Sequence, residues 1–228
     1  MESRQSKADF RDNQRSSKQL NYNNSLRGIK IRLLLNVIVF FMVVFVLSPH
    51  TDIPATWALI IVNIVVFLQV RLNRLSVYSL GVAPIVIENR EYYRIFTSAF
   101  AHKEIWHIFL NMFALYNIGG WVERFLGTPY FLLVYFQLII GSGIICAIIR
   151  KKMNKYISSI GASGVICGLI GLYLSIRIVI IGSTSVITVV TTALILIAVT
   201  ASKKTDSLNH IISFLIGIML GILYLIHA

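Results

Sequence analysis

The sequence predicts an all-α polytopic membrane protein, and two observations carry the prediction. The chain of 228 residues is 57% hydrophobic with only 13% charged residues, and its mean hydropathy is +0.78. A soluble domain of this size has no interior large enough to hold so much apolar side chain. Apolar runs also recur at spanning length, at roughly 31–48, 55–70, 105–121, 130–149, 162–181, 185–201 and 208–227. A helix needs about 20 such residues to cross ~30 Å of hydrocarbon. The solvent for these runs is therefore lipid. The net charge of +12 then reads as topology and contact with the lipid surface, and nucleic-acid binding is not expected.

Residues 1–28 form a basic tail rich in Ser, Asn, Gln, Arg and Lys, without apolar periodicity, and are expected to be disordered. The tail is too long and too charged for a secretory leader, and Glu2, Asp9 and Asp12 argue against a mitochondrial transit peptide. The expected home is the plasma membrane of a prokaryotic cell. A transmembrane helix over 29–48 comes next. Between the second and third spans, residues 71–104 are too long for a turn. They mix Tyr78, Tyr92, Tyr93 and Phe96 with Arg71, Arg74, Arg90 and Arg94, the composition of a loop lying at the interface. Cys146 and Cys167 both fall inside apolar spans, so they imply neither a disulfide framework nor a zinc site.

With seven spans, 19 of the 21 Lys and Arg residues lie on one side of the membrane, and only Arg124 and Arg177 lie on the other. The positive-inside rule puts the crowded side in the cytosol.

Three stretches carry candidate chemistry. Ile160–Gly171 sets one serine, Ser163, among glycines at the start of the fifth span. Gly164, Gly168 and Gly171 fall on one helix face and admit a second backbone closely. A small-residue packing face explains this stretch on its own. In the third span His107 and Asn111 are four apart, hence on one face. Polar groups at that depth are costly and face a cavity or a partner, so interhelical hydrogen bonding is an equal reading. His102 just precedes the span as a cap or an interfacial residue. In the seventh span Ser213, Gly217 and Gly221 make a second small-residue stripe, with His210 three residues before Ser213.

If the two stripes pack together, Ser163 and His210 stand at matching depth. Spans three, five and seven enter from the same side, so His107, Asn111, Ser163 and His210 gather under one membrane face. A serine beside a histidine is an activated nucleophile, because the imidazole takes the hydroxyl proton during attack and returns it to the leaving amine. The oxyanion so formed needs donors, and the Asn111 carboxamide, the His107 imidazole and the Ser163 amide are at hand. Asp206, one turn before His210, is more simply a helix cap than a third member.

The run Tyr93-Arg94, Phe96-Thr97, His102, His107 and Asn111-Met112 resembles the second-helix signature of the rhomboid intramembrane serine proteases. Glu123, within Gly119–Gly127, resembles the acidic turn that follows that helix. Gly161-Ala162-Ser163-Gly164 is similar to the family's G-x-S-G nucleophile motif, and His210 falls where its histidine is expected. The likeness runs from about residue 55 to the C-terminus. It implies a six-helix rhomboid core over 55–228, with the helix at 29–48 as an extra N-terminal transmembrane helix. It also implies Ser163 as nucleophile and His210 as general base, with oxyanion stabilisation from His107 and Asn111. The implied substrates are transmembrane segments of single-span membrane proteins, and no cofactor or metal is implied.

Four features depart from the family pattern. Cys167 stands where an aromatic ring often meets the histidine, Ser213 replaces a glycine, and Asn209 replaces a small residue before the histidine. The fourth is topological. Most family members open their catalytic mouth away from the cytosol, whereas the charge count here places it on the cytosolic side. Two other classes of function compete: a catalytically silent rhomboid-like protein that binds transmembrane helices, and a small transporter relaying through His107, Asn111 and His210. The second lacks internal repeats and an intramembrane carboxylate.

Overall fold

A computed structural model describes residues 27–72, 75–155, 158–181 and 207–227. Among the described residues the chain is all-helical, with a single isolated β-bridge between Val82 and Ser159 and no strand. It divides into two compact units, Met1–Val39 and Phe40–Ala228. The apolar helix α1 (Arg27–Leu47) runs across that division. It is long and apolar enough to cross a membrane, and it exposes Leu34, Phe41 and Phe45.

The larger unit opens with α2 (Pro54–Arg71), where Pro54 takes a first-turn position whose missing N–H costs nothing. Short helices follow: α3 (Val77–Leu80), α4 (Ile85–Glu88) and α5 (Tyr93–Thr97), the last running into a 3₁₀ turn at Ser98–Phe100. The expected interfacial loop is thus built of single helical turns, with Arg90 and Tyr92 exposed. α6 (Ile105–Ala114), a π-helical stretch (Leu115–Gly119) and α7 (Gly120–Leu126) abut as one continuous helix. The third span therefore extends to residue 126, beyond the 121 expected from hydropathy. α8 (Thr128–Lys152) has 25 residues and ends in the basic turn Arg150-Lys151-Lys152. α9 (Ser163–Ile181) and α10 (Ser207–His227) complete the described chain. The apolar run at 185–201 and the tail at 1–26 lie outside the described residues.

α9 is the centre of the larger unit. Residues 161–172 are buried without a break, which a helix apolar on every face requires. Ile166, Leu169, Ile170, Leu172 and Ile176 pack there, with Phe131, Tyr135 and Leu138 of α8 also fully buried. α9 and α10 pack along most of their length. A Cβ on Gly217 would strike the backbone of Gly168, one on Gly171 the backbone of Phe214 and Ile218, and one on Gly221 the side chain of Ser175. The two small-residue stripes thus meet, and backbone approaches backbone where no side chain intervenes.

At the far end of the third span the Glu123 carboxylate is fully buried. It accepts the Ala55 N–H at 2.9 Å, the Thr56 N–H at 2.7 Å and the Thr128 hydroxyl at 2.7 Å. An anion there satisfies first-turn amides of α2 and complements the helix dipole. One side chain therefore ties together the starts of α2 and α8 and the end of α7. Several helices can span a bilayer, and the chain is an integral multi-pass membrane protein.

Candidate active site

Ser163 is the first residue of α9, and His210 lies in the first turn of α10. Their side chains meet: His210 Nε2 and Ser163 Oγ are 2.8 Å apart, and both residues are buried. The contact follows from the helix packing. With the stripes seated backbone to backbone, the first residue of α9 and the fourth of α10 stand at the same height, and a hydroxyl and an imidazole span the remaining gap.

The turn before Ser163 is held from three directions. Gly161 has φ +104°, a conformation L side chains rarely adopt, which explains glycine at this position. Its N–H donates to the Ser98 carbonyl at 2.8 Å. The Ala162 N–H donates to His102 Nε2 at 3.3 Å, while His102 Nδ1 faces the Phe100 carbonyl at 3.3 Å. These partners assign the proton to Nδ1 and leave Nε2 as the acceptor. His102 is completely buried, and burial, with the His107 ring beside it, holds its pKa down to about 3. It is therefore neither a helix cap nor an interfacial residue, but the internal support of the turn that carries Ser163. The sequence offered no sign of this role, since the partner is a backbone amide 60 positions away.

His107 stands beside His102 against the same turn. Its ring covers Gly161, where a Cβ would fall 2.7 Å from Cε1, and lies 5.1 Å, centroid to centroid, from the His102 ring. Asn111 is fully buried one turn deeper. Its Nδ2 donates to the His107 carbonyl at 2.7 Å, and its Oδ1 meets no protein donor. His107 thus reaches the turn before Ser163 directly, while the Asn111 carboxamide is bonded to its own helix. The α9 N-terminus adds first-turn N–H groups that no intrahelical acceptor reaches, and the first α-helical bond there is Ile166 N–H to the Ala162 carbonyl at 2.9 Å.

A cavity of about 20 Å³ adjoins this turn, lined by Ser98, Ser142, Ser159, Gly161, Val165 and Asn209 among others. Its walls are part polar and part apolar, with Val82, Ile95 and Ile139 alongside the serines, and it has room for about one water molecule. Its outer wall is fixed by Arg150, whose guanidinium donates to the Ser159 hydroxyl at 2.6 Å and to the Val82 carbonyl at 3.2 Å. Cys167 is buried one turn after Ser163, and Ser213 is fully buried with an unpaired hydroxyl. Asp206 lies outside the described residues. Among the described residues no group of three or more His, Cys, Asp or Glu is arranged to hold a metal.

No curated protein matches the chain significantly. A family model, the Rhomboid domain, matches residues 89–227, which takes in Ser163 and the turn before it, His102, His107, Asn111, Glu123 and His210. That match covers more than half of the chain, and the protein belongs to the rhomboid family.

Proposed function

We propose that the chain is an intramembrane serine endopeptidase that cleaves transmembrane segments of single-span membrane proteins through the pair Ser163 and His210. One observation carries the reading: the 2.8 Å separation of Ser163 Oγ and His210 Nε2 inside a buried helix seam. A packing serine has no need of an imidazole at hydrogen-bond distance, whereas a nucleophile does.

In this reading Oγ attacks the scissile carbonyl while Nε2 takes its proton. His107 and the free amides of the α9 N-terminus stabilise the oxyanion, and Asn111 joins them once its carboxamide turns from its own helix toward the substrate oxygen. The tetrahedral adduct collapses, and the imidazolium protonates the departing amine. Water then enters, the same imidazole takes one of its protons, and the acyl-enzyme is hydrolysed. The cavity beside the turn, with Ser98, Ser142 and Ser159 in its wall, is a waiting place for that water. The substrate is an unwound segment, because a helical amide has its carbonyl and N–H already bonded and shielded. The setting proposed is the plasma membrane of a prokaryotic cell, with an extra transmembrane helix at 29–48 preceding a rhomboid core at 55–228.

The test is cleavage of a single-span reporter by the purified protein in liposomes. Ser163→Ala and His210→Ala should each abolish it without unfolding the protein, and a fluorophosphonate probe should label the wild type but not Ser163→Ala. Full cleavage by either variant removes the pair as the catalytic unit. A folded wild type that is neither labelled nor active supports the silent helix-binding reading, which the departures at Cys167 and Ser213 would then explain.

A further inference from the structure

The proposed chemistry leaves Asn209 without a role, yet its carboxamide sits beside the reacting pair. It directly precedes His210 on the first turn of α10. A Cβ placed on Gly164 would have Nδ2, Cγ and Oδ1 of Asn209 as its nearest neighbours. The carboxamide therefore fills the hollow left by the glycine that follows Ser163. On its other side the buried Cys146 thiol donates to Asn209 Oδ1 at 3.5 Å. Asn209 also walls the cavity next to the nucleophile turn. A single side chain thus bridges α8, α9 and α10 at the level of Ser163.

The first turn of a helix frays easily, because its amides lack intrahelical acceptors. His210 stands on such a turn, and small displacements of a catalytic group are expensive in rate. We propose that Asn209 is a positioning residue: wedged against Gly164 and bonded to Cys146, it fixes the opening turn of α10 so that the His210 imidazole stays in register with the Ser163 hydroxyl. This inference rests on the protease reading. It explains why the position tolerates a polar, branched side chain at a close helix contact. The bulk is what Gly164 accommodates, and the carbonyl oxygen is what Cys146 engages.

The test is a kinetic cycle on the full-length protein in liposomes with the single-span reporter. Asn209→Ala should lower kcat roughly ten- to a hundredfold with KM unchanged. Gly164→Ala should cost a similar factor, because its methyl displaces the carboxamide, and should cost nothing further in the Asn209→Ala background. Cys146→Ser, which keeps a donor, should retain most of the rate, and Cys146→Ala should lose part of it. Should Asn209→Ala fail to fold, the Cys146 pair carries the same comparison. The inference is overturned if Asn209→Ala keeps wild-type kcat, if the Gly164 and Asn209 costs simply multiply, or if Cys146→Ser and Cys146→Ala behave alike. An inert wild type overturns the protease reading itself, and this inference with it. An active wild type with an indifferent Asn209 overturns this inference alone.

Discussion

Gly161 and His102 decide whether the turn before Ser163 keeps its shape. Gly161→Ala places a Cβ both at φ +104° and against the His107 ring. A strained φ of this kind costs about 1–3 kcal/mol, so the variant should melt lower in micelles and also lose turnover, since His107 must move. His102 gives a pH signature. Folded, it stays neutral down to about pH 3; unfolded, it protonates near pH 6.5. Between those values the unfolded chain binds the extra proton, so stability falls as the pH is lowered, by at most about 1.4 kcal/mol per unit. Thermal melts from about pH 7 to about pH 4 should show that slope, and His102→Gln, which keeps an acceptor but cannot titrate, should flatten it. An unchanged slope in His102→Gln would assign the acid sensitivity to another group. Ser163, His107 and His210 were legible in the sequence because each sits on a helix, where spacing fixes the face. His102 was not, because it lies in irregular chain and its partner is a main-chain amide with no residue signature.

The pairing of α9 with α10 was legible for the same reason: glycines at steps of four announce a close backbone contact from their spacing alone. Gly217 is its tightest point, against the backbone of Gly168. Gly217→Ala must therefore push the helices apart and stretch the contact between Ser163 and His210. The control is Gly141→Ala, whose new methyl would meet only the tip of the Ile216 side chain at 3.2 Å. Gly217→Ala should lose most fluorophosphonate labelling and Gly141→Ala should keep it; equal labelling would show that the seam yields without cost. The role of Glu123 was only partly readable. Its place after the third span resembles a family feature, but two of its three partners are amides of α2, which leave no trace in the sequence. Nor does the run Leu115–Gly119 announce its π geometry. Glu123→Gln turns one acceptor oxygen into a donor facing those amides. By the usual worth of hydrogen bonds to charged groups it should destabilise by about 2–3 kcal/mol. Unfolding in denaturing detergent would measure this, and labelling at low temperature should persist because the site lies at the other end of the helix.

At the scale of the whole molecule, the starts of α6, α9 and α10 stand at one end of the larger unit, joined there to the 71–104 segment through the Val82–Ser159 bridge and the Ser98–Gly161 bond. Among the described residues, that end carries Lys103, Arg150, Lys151, Lys152 and Lys155. α8 is 25 residues long, about 38 Å at 1.5 Å per residue, against ~30 Å of hydrocarbon. Its last turn therefore reaches the headgroups, and Lys151, Lys152 and Lys155 are exposed there. Juxtamembrane lysines favour the anionic cytoplasmic leaflet, each contributing about 1 kcal/mol. On the charge count, the Ser163 face is expected to open toward the cytosol, opposite to the orientation the family resemblance implies. Cys146 and Cys167 are buried within the spans, so a membrane-impermeant maleimide can report on one introduced thiol. Lys155→Cys should be labelled in inverted vesicles and spared in intact cells. Its substrates would then be segments that unwind at their cytosolic end. Labelling in intact cells would reverse both conclusions and show that packing of the core, rather than loop charge, sets the orientation of this chain.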